Sequence, residues 1–123
     1  MVKFEVNYDN RERTMEYLEK FDGGNIEKIE IAYNSINMSL TQEGGQGRVN
    51  LIFSQVVSFK FDNSSGHECM SGLTSWPRYV SIAFGDESIA TTIGTSLDCN
   101  FKDILSCGFF VESRSLSVIE RET

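Results

Sequence analysis

Apolar and polar residues alternate along most of this chain. Over residues 2–8, Val2, Phe4, Val6 and Tyr8 interleave with Lys3, Glu5 and Asn7, the period-two pattern of a half-buried strand. The pattern then changes. Met15, Leu18 and Phe21, with Tyr17 beside them, fall at helical spacing, so a short amphipathic helix is expected over about residues 10–21. Asp9 and Glu12 fit a variant of the capping box at its start, Glu16 and Lys20 form an i,i+4 pair, and Gly23 and Gly24 stop it.

Beyond the helix, alternation returns. Ile29, Ile31 and Tyr33 share one parity and Ile36, Met38 and Leu40 the other, so the chain turns tightly or bulges near Asn34 and Ser35. In "VNLIFSQVVSFKF", Val49, Leu51, Phe53, Val57, Phe59 and Phe61 keep one parity. This predicts one long strand, or two joined by a bend near Ser54 and Gln55. Such a strand invites pairing if it lies on a sheet edge. Residues 62–77 form the longest stretch without a pattern. Val80, Ile82 and Phe84 make a further strand, which "GDES" turns into Ile89, Thr91 and Ile93. "DCNFKDILS" at 98–106 reads as a helical turn or a strand, and "CGFFV" and "LSVIE" as a final hairpin through "ESRS". With no βαβ alternation and no repeat, the expectation is one mainly β domain spanning residues 1–123. It is an antiparallel β-sandwich or open barrel of about eight to ten strands with one short N-terminal helix.

Composition narrows the function. The chain has 123 residues, 18 acidic against 11 basic, and a net charge of −7. That argues against nucleic acid and anionic membranes, and favours a basic protein partner. No apolar run is long enough to cross a membrane as a helix, and the opening residues lack the apolar core of a signal peptide. Three cysteines, an odd number, suit a reducing cytoplasm better than a disulfide framework.

The stretch "SGHECMSGLTSWPRY" holds the only histidine, tryptophan and proline. His67 and Cys69 invite a thiol-enzyme reading. Their polar, glycine-bearing surroundings supply no orienting third group, which fits a loop better than a catalytic pair. Zinc ligation by His67, Cys69, Cys99 and Cys107 lacks any CxxC spacing, and "DNSSGHE" lacks the helices and terminal glutamate of a calcium loop. "GGQG" opens a strand, so it does not cradle phosphate. Neither cofactor nor metal is expected, and no catalytic residue is assigned. What remains is recognition: Trp76 and Tyr79 are anchors of the kind enriched at interfaces, and Asp62, Glu68, Asp86, Glu87, Asp98 and Asp103 place carboxylates in the loops. The same aromatics and carboxylates would also serve a carbohydrate- or small-molecule-binding cleft.

"KFEVNY", "DGGNIEKIEIAY" and "RVNLIFSQVVSFKFD" resemble, in the style of their strands, the small bacterial immunity proteins of polymorphic-toxin and contact-dependent growth inhibition systems. The resemblance implies a single acidic cytoplasmic domain that binds a nuclease or other toxin domain and blocks it without catalysis. It transfers no functional residue, because such proteins diverge most where they meet their toxins. Nuclease toxins bind polyanions through basic faces, so an acidic inhibitor that mimics phosphate fits them.

Overall fold

The computed structural model describes residues 2–21, 24–42, 44, 47–61, 79–94 and 100–122. Seven strands occur among them: β1 Val2–Glu5, β2 Asn25–Ala32, β3 Ser35–Thr41, β4 Gly47–Phe61, β5 Tyr79–Phe84, β6 Ile89–Gly94 and β7 Phe109–Glu122. Two helices join them, α1 Arg11–Leu18, continued by a 3₁₀ turn at Glu19–Phe21, and α2 Phe101–Leu105. The strands form one antiparallel sheet in the order β2-β3-β4-β7-β6-β5, with β1 on the remaining half of β7. The mainly β, antiparallel class with a short N-terminal helix is therefore the architecture.

Two long strands make the frame. β4 pairs with β7 from Gly47↔Glu122 to Phe61↔Phe109. On β4, Val49, Leu51 and Phe53 are buried, then Gln55 takes φ 52° and the register slips between Val56 and Ser58. On β7, Phe109, Val111 and Ser113 are buried at odd positions, then Leu116 and Val118 at even ones. Both strands thus change the face they bury at the same level. Irregularities of this kind let strands turn a corner and fold a sheet onto itself. One core fills the fold: Phe53, Leu51 and Met38 from one half pack with Ile82, Ile89 and Val111 from the other, and Leu18 and Phe21 of α1 close it. A second, smaller cluster sits on the opposite side, where Ile104 of α2 covers Ala83, Ala90 and Phe110.

Several expectations are corrected by this geometry. Residues 107–120 are no hairpin: "ESRS" is the corner of one continuous strand, and a switch of buried parity looks the same in either case. That merger takes the strand count to seven among the described residues. The parity of β4 does not run unbroken. Phe59 pairs with Val111 yet stays 44% exposed, and Val57, at the bulge, is 53% exposed. β1 stops at Glu5 and leaves Tyr8 in the following turn, 77% exposed. Asp9 and Glu12 form no capping box. Asn10 holds the N-cap position, locked to Asn7 by reciprocal side-chain to backbone hydrogen bonds of 2.8 and 2.9 Å. Lys20 leaves Glu16 and reaches Glu120 on β7 at 2.6 Å, its ammonium 4.2 Å from the Tyr17 ring centre.

Other expectations hold. β2 and β3 form a hairpin through a two-residue turn, Tyr33 and Asn34, with Asn34 at φ 65°, a conformation asparagine tolerates. Gly24 follows the 3₁₀ turn where a Cβ would lie 1.8 Å from the Thr41 carbonyl oxygen, so only glycine fits there. The ambiguous "DCNFKDILS" contains α2, started by a full capping box between Asn100 and Asp103.

Candidate functional site

The carboxylates divide into those that are engaged and those that are free. Glu27 pairs with Arg48 at 3.0 Å, Glu30 with Lys28 at 3.5 Å and Glu120 with Lys20. Glu112 accepts hydrogen bonds from Ser58 Oγ at 2.9 Å and Ser88 Oγ at 2.7 Å, which ties the β5–β6 turn to the sheet. Asp103 is used by its own helix: its backbone N–H donates to Asn100 Oδ1 at 2.8 Å, and its carboxylate accepts from the Asn100 backbone N–H. Apart from Glu5 on β1, the acids without an ion pair or hydrogen bond among the described residues are Asp9, Glu12, Glu16, Glu19, Asp86 and Glu87, all exposed.

Four of these cluster around α1. Glu12 and Glu16, four residues apart, share its solvent side away from Leu18, while Asp9 lies in the turn before the helix and Glu19 opens the 3₁₀ turn after it. Two of them, Asp9 and Glu12, line a groove of about 480 Å³ together with Tyr8, Arg11, Phe84 and Phe101. Tyr8 and Phe84 meet edge to face, with ring centres 6.0 Å apart. Gly85, which follows Phe84, lies against the Phe101 ring, where a Cβ would come within 2.7 Å. The next two residues, Asp86 and Glu87, are exposed in the turn closed by the Gly85 N–H to Ser88 carbonyl bond of 2.8 Å. Among the described lining residues Arg11 is the one cation, and its Nε donates to the Ile82 carbonyl of β5. The groove therefore presents an aromatic floor and carboxylates on one side, chemistry that receives lysine or arginine side chains through ion pairs and ring faces.

The structure places Asp86 and Glu87 in the exposed turn that follows Phe84, a lining residue of this groove, and commits Asp103 to the α2 cap. Tyr79 begins β5 opposite Gly94, its backbone alone being described. Asp62, Glu68, Trp76 and Asp98 lie outside the described residues, as do His67, Cys69 and Cys99. The acids of α1 and the rings of Tyr8 and Phe101 were not singled out by sequence reasoning, which looked for carboxylates in loops. The 3-4-3 spacing of residues 9, 12, 16 and 19 was a usable signal for the acids; no local pattern marks the rings.

Among the described residues, no three His, Cys, Asp or Glu side chains gather as a metal site. No described helix is long and apolar enough to cross a membrane. Comparison with protein-family models, curated proteins and solved structures yields no match for this chain.

Proposed function

We propose that this protein is an immunity-type inhibitor that acts in the cytoplasm. It binds a basic, nuclease-like toxin domain through the groove between α1, β5 and α2, and it carries out no catalysis. The observation that supports this reading is that Asp9 and Glu12, both unengaged, share a groove with the rings of Tyr8, Phe84 and Phe101, with the unengaged Asp86 and Glu87 in the turn that follows Phe84. Carboxylates held on a folded surface occupy the place of nucleic-acid phosphates on a basic face, and they steer association before contact. The rings add burial once the rim charges have met.

The test is growth rescue. The gene directly upstream is examined for a basic nuclease-like toxin domain, and that domain is expressed from an inducible promoter, with or without this protein. Rescue is expected from the native chain and not from a Glu12→Lys, Glu16→Lys, Asp86→Lys, Glu87→Lys variant that still folds. Lack of protection by the native chain, or full protection by the reversed variant, overturns the proposal. The groove's rings also favour a second reading, a carbohydrate- or small-molecule-binding domain. That reading expects saturable binding of a neutral sugar, measured by calorimetry, that survives the same charge reversals.

A further inference from the structure

Beyond the groove, one margin of the sheet has no neighbouring strand among the described residues. β3 accompanies β4 only as far as Ser35↔Ser54, and the Val56 N–H reaches the Asn34 carbonyl oxygen at 3.4 Å. From there to residue 61, β4 has β7 on one side and no strand among the described residues on the other. Large apolar side chains crowd that margin. Tyr33 is 100% exposed, Ile31 56%, Val57 53% and Phe59 44%, and together they line a surface cleft of about 520 Å³. Such a margin is both an unpaired edge and an apolar patch, the two features that draw strands together.

We propose that this margin pairs with the same margin of a second copy of the chain, two-fold and antiparallel, with Val57 of each copy against Phe59 of the other. Charge separates this occupant from the basic partner of the groove. On the β4–β7 stretch that carries Val57 and Phe59, the exposed charged residues are Lys60 and Arg114, both basic, so a basic protein is not attracted here. A second copy brings the same cations, and the two-fold register separates the lysines. In this register the two Lys60 side chains start about 13 Å apart along the strands, beyond a physiological screening length of about 8 Å. Each Val57 lies directly across from a phenylalanine, an apolar pairing that stabilises adjacent strands. The area fits a weak dimer. With Tyr33 fully exposed and the other three about half exposed, the patch offers roughly 450 Å² per copy, so a two-fold contact lies near the lower limit of about 1,000 Å² for a specific interface. The bulge between Val56 and Ser58 keeps the paired stretch short, which holds association in the micromolar range or weaker.

Sedimentation equilibrium of the purified chain from about 10 μM to about 1 mM tests the proposal. The weight-average mass should climb from monomer toward dimer. Val57→Lys and Tyr33→Asp, both at exposed positions, should each weaken association by about tenfold or more, with thermal melting unchanged. Amides of residues 57–61 should exchange more slowly at high concentration in the native chain and not in Val57→Lys. A monomeric mass throughout the range overturns self-pairing, as does a dimer indifferent to both substitutions. Protection of 57–61 only on adding the toxin domain would assign the margin to that partner instead and would equally overturn it.

Discussion

At the scale of single residues, two positions carry a cost that the fold tolerates. Thr91 is 3% exposed, and its hydroxyl finds no hydrogen-bond partner. Its neighbour Thr92 avoids this by donating to the Phe109 carbonyl at 2.6 Å. A buried hydroxyl without a partner loses its water without compensation. Thr91→Val, nearly the same shape, should therefore raise stability by about 1 kcal/mol, seen as a melting temperature a few degrees higher. A lower melting temperature would mean that the hydroxyl has a stabilising role. Gln55 takes φ 52° at the corner, a conformation costly for any side chain and worst for a β-branched one. Gln55→Val should destabilise by about 1–2 kcal/mol relative to Gln55→Gly. Urea unfolding of the pair measures the difference, and equal midpoints would show that the corner does not depend on this backbone angle.

At the scale of elements, α1 has two tasks. Its inner side closes the core through Leu18 and Phe21, and its first turns seal the margin of β5. Ile82 at that margin has its backbone N–H on Met15 Sδ at 3.4 Å and its carbonyl oxygen on Arg11 Nε. A helix thus occupies the hydrogen-bonding groups that would otherwise template another strand. Arg11→Met keeps much of the apolar stem and removes the donor. The expected loss is about 1–2 kcal/mol, read by chemical unfolding, with faster exchange of amides in β5. Stability and exchange like the native chain's would show that solvent replaces Arg11 without cost. The contrast with β4 is informative: one free margin is sealed by a helix, while residues 57–61 of β4 carry exposed apolar side chains instead.

At the scale of the whole molecule, charge and hydrophobicity are sorted onto different regions. Unengaged acids lie in and around α1 and in the β5–β6 turn, while Ile31, Tyr33, Val57 and Phe59, exposed and apolar, line the cleft at the β4 margin. Reversing Glu12 and Glu16 to lysine moves the net charge from −7 to −3, and so does reversing Asp86 and Glu87. Against the proposed toxin partner, either double variant should associate more slowly and with a shallower salt dependence, because rim charges act chiefly on the encounter. Thermal stability should hardly change, since these carboxylates are exposed and unpaired. Stopped-flow association at three salt concentrations measures both quantities. Unchanged rates for both variants would remove the groove from the interface.

Much of the fold was legible in the chain itself, because burial on one side of a strand or helix imposes a period. Alternation located β1 to β6, the 15-18-21 spacing located α1, and the parity switch located the Tyr33–Asn34 turn. What alternation records is which side of the backbone is buried, not where the backbone goes next. The breaks near Gln55 and Ser113 therefore looked like a bend and a hairpin, and only long-range pairing of β4 with β7 made them one corner. The groove has the same origin. Tyr8 leaves β1, Phe84 ends β5 and Phe101 begins α2, and no local rule links three rings so distant in sequence. Packing of α1 and α2 against β5 brings them together, so the site is a property of the tertiary structure, while the run of acids at 9, 12, 16 and 19, two of which line it, was already legible in the sequence.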